Sequence, residues 1–317
     1  MLKHLQPLRI RLACALLCCA LCLTLSCAPR REGAQSTAAA ETRLVTDEAG
    51  KQVRVPLRPQ RIVTLAPNLT EIVYAIGAGD RLVGNTTYCD YPPEARQVPK
   101  VGDTLQPSVE RIIALRPQLI LVSTASQLET FTKQLDEQQI AVYVTDPHDL
   151  EGVFRSIVGL GELLGQQEQA AKLVADLRAR AAAVEEAVRP CQPVRVFYQV
   201  SAEPLYTAGH DSFVTDLIAR AGGRSVTADV PGAWPRYSNE AALASQPEAI
   251  VMATADSMSA GNMDVAAALK KSPAVLKGRV YGINGDYLSR PGPRLVQGLE
   301  ELARALHPEA FGQGRKP

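Results

Sequence analysis

The segment Ser108–Ile120, SVERIIALRPQLI, has a counterpart 130 residues further on, Ser238–Ile250, SNEAALASQPEAI, with Ser, Glu, Ala, Pro and Ile in the same places. Each copy reads as a short helix that begins near the serine, is stopped by the proline and leads at once into a buried strand. A chain that carries one such unit in each half is constrained to two lobes built on one plan. Chance likeness between two helix-proline-strand units is the plainer alternative, and the rest of the chain has to decide. Its 317 residues exceed what one hydrophobic core usually organises.

From Arg61 onward, short apolar runs alternate with helical stretches, the pattern of a mainly parallel sheet with helices on its faces. In the first half, strands are expected at Arg61 to Leu65, Leu119 to Val122 and Ala141 to Val144. A helix is expected from Asn68 to Ile76, with Asn68 as its cap, Glu71 completing a capping box and Gly77 as a left-handed stop. In the second half, strands are expected at Val194 to Val200, Ala249 to Met252 and Arg279 to Ile283. Between the halves, Gln166 to Val188 has no Gly or Pro and is rich in Ala, Glu, Gln, Leu and Arg. It should form one stiff helix of roughly 34 Å. The fold class is therefore α/β, two similar lobes with central, mainly parallel sheets, joined by one long backbone helix. The expected divisions are an N-terminal lobe at 60–165, the backbone helix at 166–189 and a C-terminal lobe at 190–317. Lobes joined by a single rigid helix should move little against each other.

The N-terminus places Lys3, Arg9 and Arg11 before an apolar run from Leu12 to Leu25, too short to span a bilayer and suited to a signal-peptide core. The run ends in Leu23-Thr24-Leu25-Ser26-Cys27, which resembles a bacterial lipobox with Cys27 as the acylated residue, though Thr24 stands where Leu is preferred. An ordinary cleaved signal peptide is the alternative, and Pro29 makes the adjacent cut a poor one. Residues 1–27 are thus expected to be a leader. Residues 28–59 are expected to be a tether and lead-in, because 28 to 43 are small and polar with no apolar period. The chain is expected outside the cytoplasm, lipid-anchored to a membrane, as a monomer.

Five of the seven cysteines lie in the leader, which leaves Cys89 and Cys191 for the folded part and excludes a disulfide framework. The two could pair, but a bridge between lobes would hinder their movement. With 34 basic and 33 acidic side chains, no strong field gathers nucleic acid, and none is expected as a partner. His148, His210 and His307 form no spaced cluster, so direct capture of Zn or Mn is not expected.

Glu110 and Glu240 hold equivalent places near the starts of the two repeated helices, where the dipole favours a carboxylate. Helix capping alone explains them; so does docking onto a partner with approximate two-fold symmetry, such as a dimeric permease. The run Tyr88-Cys89-Asp90-Tyr91-Pro92-Pro93-Glu94-Ala95, the segment Val109 to Pro117 and the stretch Ala233-Trp234-Pro235 to Glu240 resemble the bacterial solute-binding proteins that carry vitamin B12 to ABC importers. More broadly, the chain resembles the helical-backbone solute-binding proteins for corrinoids, siderophores and haem. The resemblance covers about residues 60 to 306. It implies capture of cobalamin or a related corrinoid between the lobes, delivery to a permease dimer, and no catalytic cofactor. By position, the ligand-facing residues would be Tyr88, Tyr206, Trp234, Asp286 and Arg290, and Glu110 and Glu240 would dock on permease arginines. Flat aromatic faces suit a broad apolar macrocycle, and an Asp and an Arg four apart can bond its peripheral amides. A surface ion pair, and a tryptophan packed under its own loop, remain the plainer readings of these residues. Thr104 and Ser123 are small where the nearest vitamin B12 carriers tend to place aromatics, which bears on the ligand more than on the fold. A haem or ferric-siderophore receptor is the alternative, with His210 able to approach a haem iron.

A secreted two-domain α/β enzyme is the rival from another class, but G-x-S-x-G, H-E-x-x-H and the P-loop are all missing. The glycines at 77, 79 and 84 follow a helix rather than a strand, and Gly159 and Gly161 lie inside a helical pattern. No enzyme activity is expected.

Overall fold

The computed structural model describes residues 41–124, 135, 138, 140–254 and 264–312, so the expected leader, Cys27 and residues 28–40 lie outside the described residues. The first element is an antiparallel hairpin of β1 (Thr42–Thr46) and β2 (Gln52–Pro56), where the sequence suggests only a lead-in. Alternation along β2 explains it: Val53 and Val55 are buried while their neighbours face out.

The N-terminal lobe holds a parallel sheet of β3 (Ile62–Thr64), β4 (Leu82–Asn85), β5 (Leu119–Ser123) and β6 (Ala141–Thr145), in the order β4-β3-β5-β6. Its helices are α1 (Pro67–Ala75), α2 (Val109–Ala114) and α3 (Leu150–Leu164). The backbone helix α4 (Gln167–Val188) follows. The C-terminal lobe has β7 (Val194–Ala202), β8 (Leu205–Thr207), β9 (Gly223–Ser225), β10 (Ala249–Thr254) and β11 (Val280–Asn284), in the order β11-β10-β7-β8 with β9 also on β7. Among the described strands there, only the β7 to β8 pairing is antiparallel. Its helices are α5 (Phe213–Arg220), α6 (Asn239–Ser245), α7 (Pro273–Leu276), α8 (Gly285–Leu288) and α9 (Leu295–Leu306).

The internal repeat extends to individual hydrogen bonds. Ser108 caps α2 by accepting from the Arg111 N–H at 3.3 Å, and Ser238 caps α6 by accepting from the Ala241 N–H at 3.1 Å. Arg116 and Gln246, the matched residues before the two prolines, have φ of 46° and 41° and are the non-glycine residues with positive φ among the described ones. The guanidinium of Arg61 donates to the Leu115 carbonyl, and that of Arg195 to the matched Ser245 carbonyl. Within each strand after the proline, side chains alternate between two cores: Leu119 and Leu121 face one, Ile120 and Val122 the other, as Ala249 and Val251 do against Ile250 and Met252.

One of those cores runs through both lobes. It joins Ile62, Leu69 and Phe154 of the first lobe to Val196, Leu217 and Leu299 of the second through the buried stripe Ala170, Val174, Leu177, Ala181, Val184 and Val188 of α4. That stripe keeps one face of α4 against both lobes along 22 residues, about 33 Å at 1.5 Å per residue. Arg178 pairs with Glu151 of α3 at 2.7 Å, and Arg180 with Glu300 of α9 at 2.9 Å. Gly161 lets α3 and α4 meet, since a Cβ there would lie 2.4 Å from that of Ala170. Separating the lobes would open a shared core, so large hinge motion is disfavoured.

α1 begins differently from expectation. Ala66 is the cap and Pro67 opens the helix, so Asn68 lies within it and Glu71 serves no capping box. Proline at the first helical turn needs no N–H and presets φ, which moves the start one residue earlier. Gly77 does adopt the left-handed conformation, with φ of 80°. Cys89 and Cys191 are both free thiols.

Candidate functional site

In each lobe the parallel strands end toward the same side, and the loops that follow them carry the polar and aromatic residues. Open α/β sheets bind ligands beyond such strand ends. From the first lobe come the segment after β4 with Tyr88, Asp90 and Tyr91, and the N-terminus of α1. From the second come the loop carrying Trp234, and α8 with the turn into α9.

These groups form an aromatic set and a charged cluster. Trp234 meets Phe213 edge-on at 5.7 Å between ring centroids and Tyr198 at 6.4 Å. Burial pushes the pKa of the Tyr198 hydroxyl up to about 12, against the opposing effect of Ser289. The next residue, Arg290, reaches Asp286 at 2.7 Å, Asp90 at 2.9 Å and Glu71 at 3.3 Å. Asp90 stands two residues from Tyr88, which is 59% exposed. Arg294 adds two bonds to Glu71 at 2.9 and 2.7 Å and lies over the Tyr91 ring at 4.1 Å. Asn68 donates to the Pro291 carbonyl at 3.2 Å.

The Asp286 and Arg290 pair is therefore no isolated surface contact but part of a five-membered cluster that bridges the lobes. Burial works against the charge on Arg290, but the Asp90 hydrogen bond and the fields of Asp286, Asp90 and Glu71 outweigh it and raise its pKa. For Asp90, burial would raise the pKa, yet the Arg290 bond and charge hold it below the usual carboxylate range. Sequence reasoning missed Glu71, Tyr91 and Arg294. The signals were present in the acidic residue within α1 and in an arginine four residues after Arg290, but only the fold brings them together.

The Trp234 loop is fastened by backbone bonds. The N–H of Gly209 donates to the Ala233 carbonyl at 3.0 Å, that of His210 to Val230 at 2.7 Å and that of Thr207 to Pro235 at 3.2 Å. The two loop segments approach so closely that a Cβ on Gly209 would lie 2.2 Å from the Gly232 carbonyl oxygen. Trp234 stays 41% exposed, so its ring packs on its lobe with one part open to solvent. Tyr206, half-buried on β8, is joined to the same loop by a backbone bridge to Arg236. His210 is exposed and its ring Nδ1 lies 2.9 Å from Asp211 Oδ1. Thr104 is half-buried and Ser123 is buried at the end of β5.

Glu110 and Glu240 are exposed at the second residue of α2 and of α6. The Glu110 pKa is lowered by its own backbone N–H and by the Ser108 hydroxyl, which donates to its carboxylate at 3.0 Å. Glu240 borders a shallow hollow of about 390 Å³ with Glu203, Arg236 and Tyr237.

The sequence profile of a periplasmic binding protein matches residues 62–287. The chain belongs to the periplasmic binding protein family. The ABC transporter substrate-binding lipoprotein YvrC of Bacillus subtilis is 34% identical over 274 residues, 84% of this chain and 86% of YvrC. The solved periplasmic vitamin B12 binding protein BtuF of Vibrio cholerae aligns with a TM-score of 0.71 at 29% identity, covering 81% of this chain and all of BtuF. The periplasmic heme-binding protein RhuT from Roseiflexus sp. RS-1 aligns with a TM-score of 0.70 at 27% identity, covering 79% of this chain and 99% of RhuT. Periplasmic binding proteins of this kind capture solutes for ABC transporters and are not enzymes, which agrees with the missing enzyme motifs. Among the described residues, no helix is long and apolar enough to cross a membrane.

Proposed function

We propose that this periplasmic binding protein captures cobalamin or a related corrinoid between its lobes and passes it to the permease of an ABC importer. The observation that carries the reading is the cluster in which Arg290 of the second lobe meets Asp90 and Glu71 of the first, beside the loops after the strand ends that carry Tyr88 and Trp234. A corrin ring offers broad apolar faces rimmed by amides. Tyr88, Tyr206 and Trp234 supply rings that lose little entropy on binding, and Asp286 and Arg290 supply a held acceptor and donor. The likeness to BtuF supports the corrinoid.

The core shared through α4 fits a preformed site with limited closure. Release then falls to the permease. Glu110 and Glu240, matched by the repeat and exposed on both lobes, suit docking onto arginines of a two-fold partner. Acylation of Cys27 would keep the protein at the membrane, and the named lipoprotein YvrC supports that anchor.

Haem is the second reading, supported by the likeness to RhuT. For His210 to reach an iron its ring would have to leave Asp211. Titration with cyanocobalamin, followed through the fluorescence of the single tryptophan, is expected to give a saturable change. A flat response together with saturable haem binding would replace the ligand and leave the receptor role intact.

A further inference from the structure

At the edge of the C-terminal lobe where β7 and β11 begin, away from the strand ends that carry the site above, three metal-binding side chains converge. Cys191, His307 and Glu309 present a sulfur, a ring nitrogen and a carboxylate oxygen, all within 4.8 Å of one another. Cys191 comes from a part of the chain distant from the other two. Cys191 lies in the turn after α4, its N–H bonded to the Val188 carbonyl at 2.9 Å, while His307 closes α9 and Glu309 follows in the turn Pro308–Phe311.

His307 decides what the cluster can hold. It is 2% exposed, and its Nε2 lies 2.9 Å from the Gly222 carbonyl oxygen. A carbonyl only accepts, so Nε2 carries a proton. Gly222 is shaped for this contact: its φ is +77°, and a Cβ would fall 2.7 Å from Nε2. Its Nδ1 lies 3.3 Å from Glu309 Oε1, so one cation, a proton or a metal ion, can be shared between the two. A proton would satisfy His307 and Glu309 alone, whereas a metal ion would satisfy both and the Cys191 sulfur besides.

The surroundings favour the ion. Ligating histidines usually donate their other ring N–H to a carbonyl or carboxylate, as His307 does. Donors of sulfur, imidazole and carboxylate type suit zinc, whose bonds of about 2.0–2.3 Å place ligand atoms about 3.3–3.8 Å apart. A hollow of about 480 Å³ opens beside His307 and Glu309 and leaves room for a water as fourth ligand. Arg279 lines that hollow, but its Nη2 is held by the Leu306 carbonyl at 3.0 Å.

We propose that Cys191, His307 through Nδ1, and Glu309 form a binding site for a zinc-class divalent ion, separate from the transported solute. Such an ion would tie the C-terminal turn to the end of the backbone helix and brace the lobe. The sequence hid the site because Cys191 lies more than a hundred residues before His307 and Glu309.

The full chain, stripped with a chelator, should bind cobalt(II) with a sulfur-to-metal charge-transfer band and the intense visible bands of four-coordination, and zinc should displace the cobalt. Cys191→Ser, which leaves every other cysteine in place, should lose the charge-transfer band. Glu309→Gln should bind cobalt at least about tenfold more weakly, the loss seen even for outer-shell partners. Zinc should raise the melting temperature of the parent and not of Cys191→Ser. The proposal is overturned if the parent shows no charge-transfer band, if Cys191→Ser keeps the band and affinity, or if His307 titrates as an imidazolium paired to Glu309 while cobalt stays unbound.

Discussion

Glu71 of α1 accepts both hydrogen bonds of an Arg294 fork from the opposite lobe, at 2.9 and 2.7 Å, with the two side chains 2% and 11% exposed. A pair so fully removed from water stabilises the fold only while both partners are present, because either one left alone is an uncompensated buried charge. Glu71→Ala is therefore expected to cost about 3–5 kcal/mol in urea unfolding. A cost below about 1 kcal/mol, the level of exposed ion pairs, would show that the clasp is not holding the lobes.

Gly209 tests the placement of Trp234 without touching the ring. Its missing Cβ is what admits the Gly232 and Val230 carbonyls, at 2.2 and 2.6 Å from where that atom would sit. Gly209→Ala should cost about 1–3 kcal/mol, as overpacking does, and shift the tryptophan emission toward that of a more hydrated indole. Unchanged emission would mean that the loop keeps its place by other contacts.

The general plan was legible in the chain because its signals are local. Periodicity and proline placed β5, β10 and the helices before them, and the uninterrupted run after Gln166 placed α4. What the sequence concealed depends on partners far away. Glu71 reads as a capping residue until the fold sets Arg294 against it, since an acid three residues after Asn68 fits either role. The hairpin of β1 and β2 was hidden because only Val53 and Val55 of its second strand enter the core. Cys191 and His307 each look ordinary alone. Of the five residues read as ligand-facing, Asp286 and Arg290 meet directly, while Trp234 packs on Tyr198, a buried residue with no sequence signal of its own.

His148 makes a further contact between lobes and should respond to pH. Burial works against its charge, but the Asp211 carbonyl at 3.2 Å and the Asp146 carboxylate at 3.1 Å prevail and raise its pKa above the usual 6.5. The Asp211 carboxylate, also facing it, acts in the same direction. A pKa raised on folding contributes stability that is complete below the unfolded value and lost as pH rises through the folded one. The melting temperature of the parent, relative to His148→Gln, should thus be higher below about pH 6 and converge with it in mildly alkaline buffer. Parallel profiles would remove the histidine from any role in lobe contact.

The matched left-handed residues before the two prolines give a backbone test of the repeat. Arg116 is exposed with φ of 46°, a region where a Cβ is strained and glycine is not. Ala114, at the end of α2, has ordinary helical surroundings. Ala114→Gly should cost about 1 kcal/mol, whereas Arg116→Gly should be neutral or stabilising by up to about 1 kcal/mol. Equal losses in denaturant would show that the strain at Arg116 carries no energetic weight.

Glu110 and Glu240 separate docking from capping. Each helix already has its serine cap, with Ser108 and Ser238 accepting from the N–H three residues on, so the glutamates are spare for the fold. Both side chains stand in solvent on matched helices of the two lobes, where a two-fold permease could engage them together. The double variant Glu110→Ala, Glu240→Ala should therefore keep its melting temperature and its ligand affinity while uptake by cells carrying the importer falls at least tenfold. Each single variant should lose less, because one lobe still docks. Uptake equal to the parent in the double variant would confine these residues to capping, and a fall in ligand affinity would place them at the solute site instead.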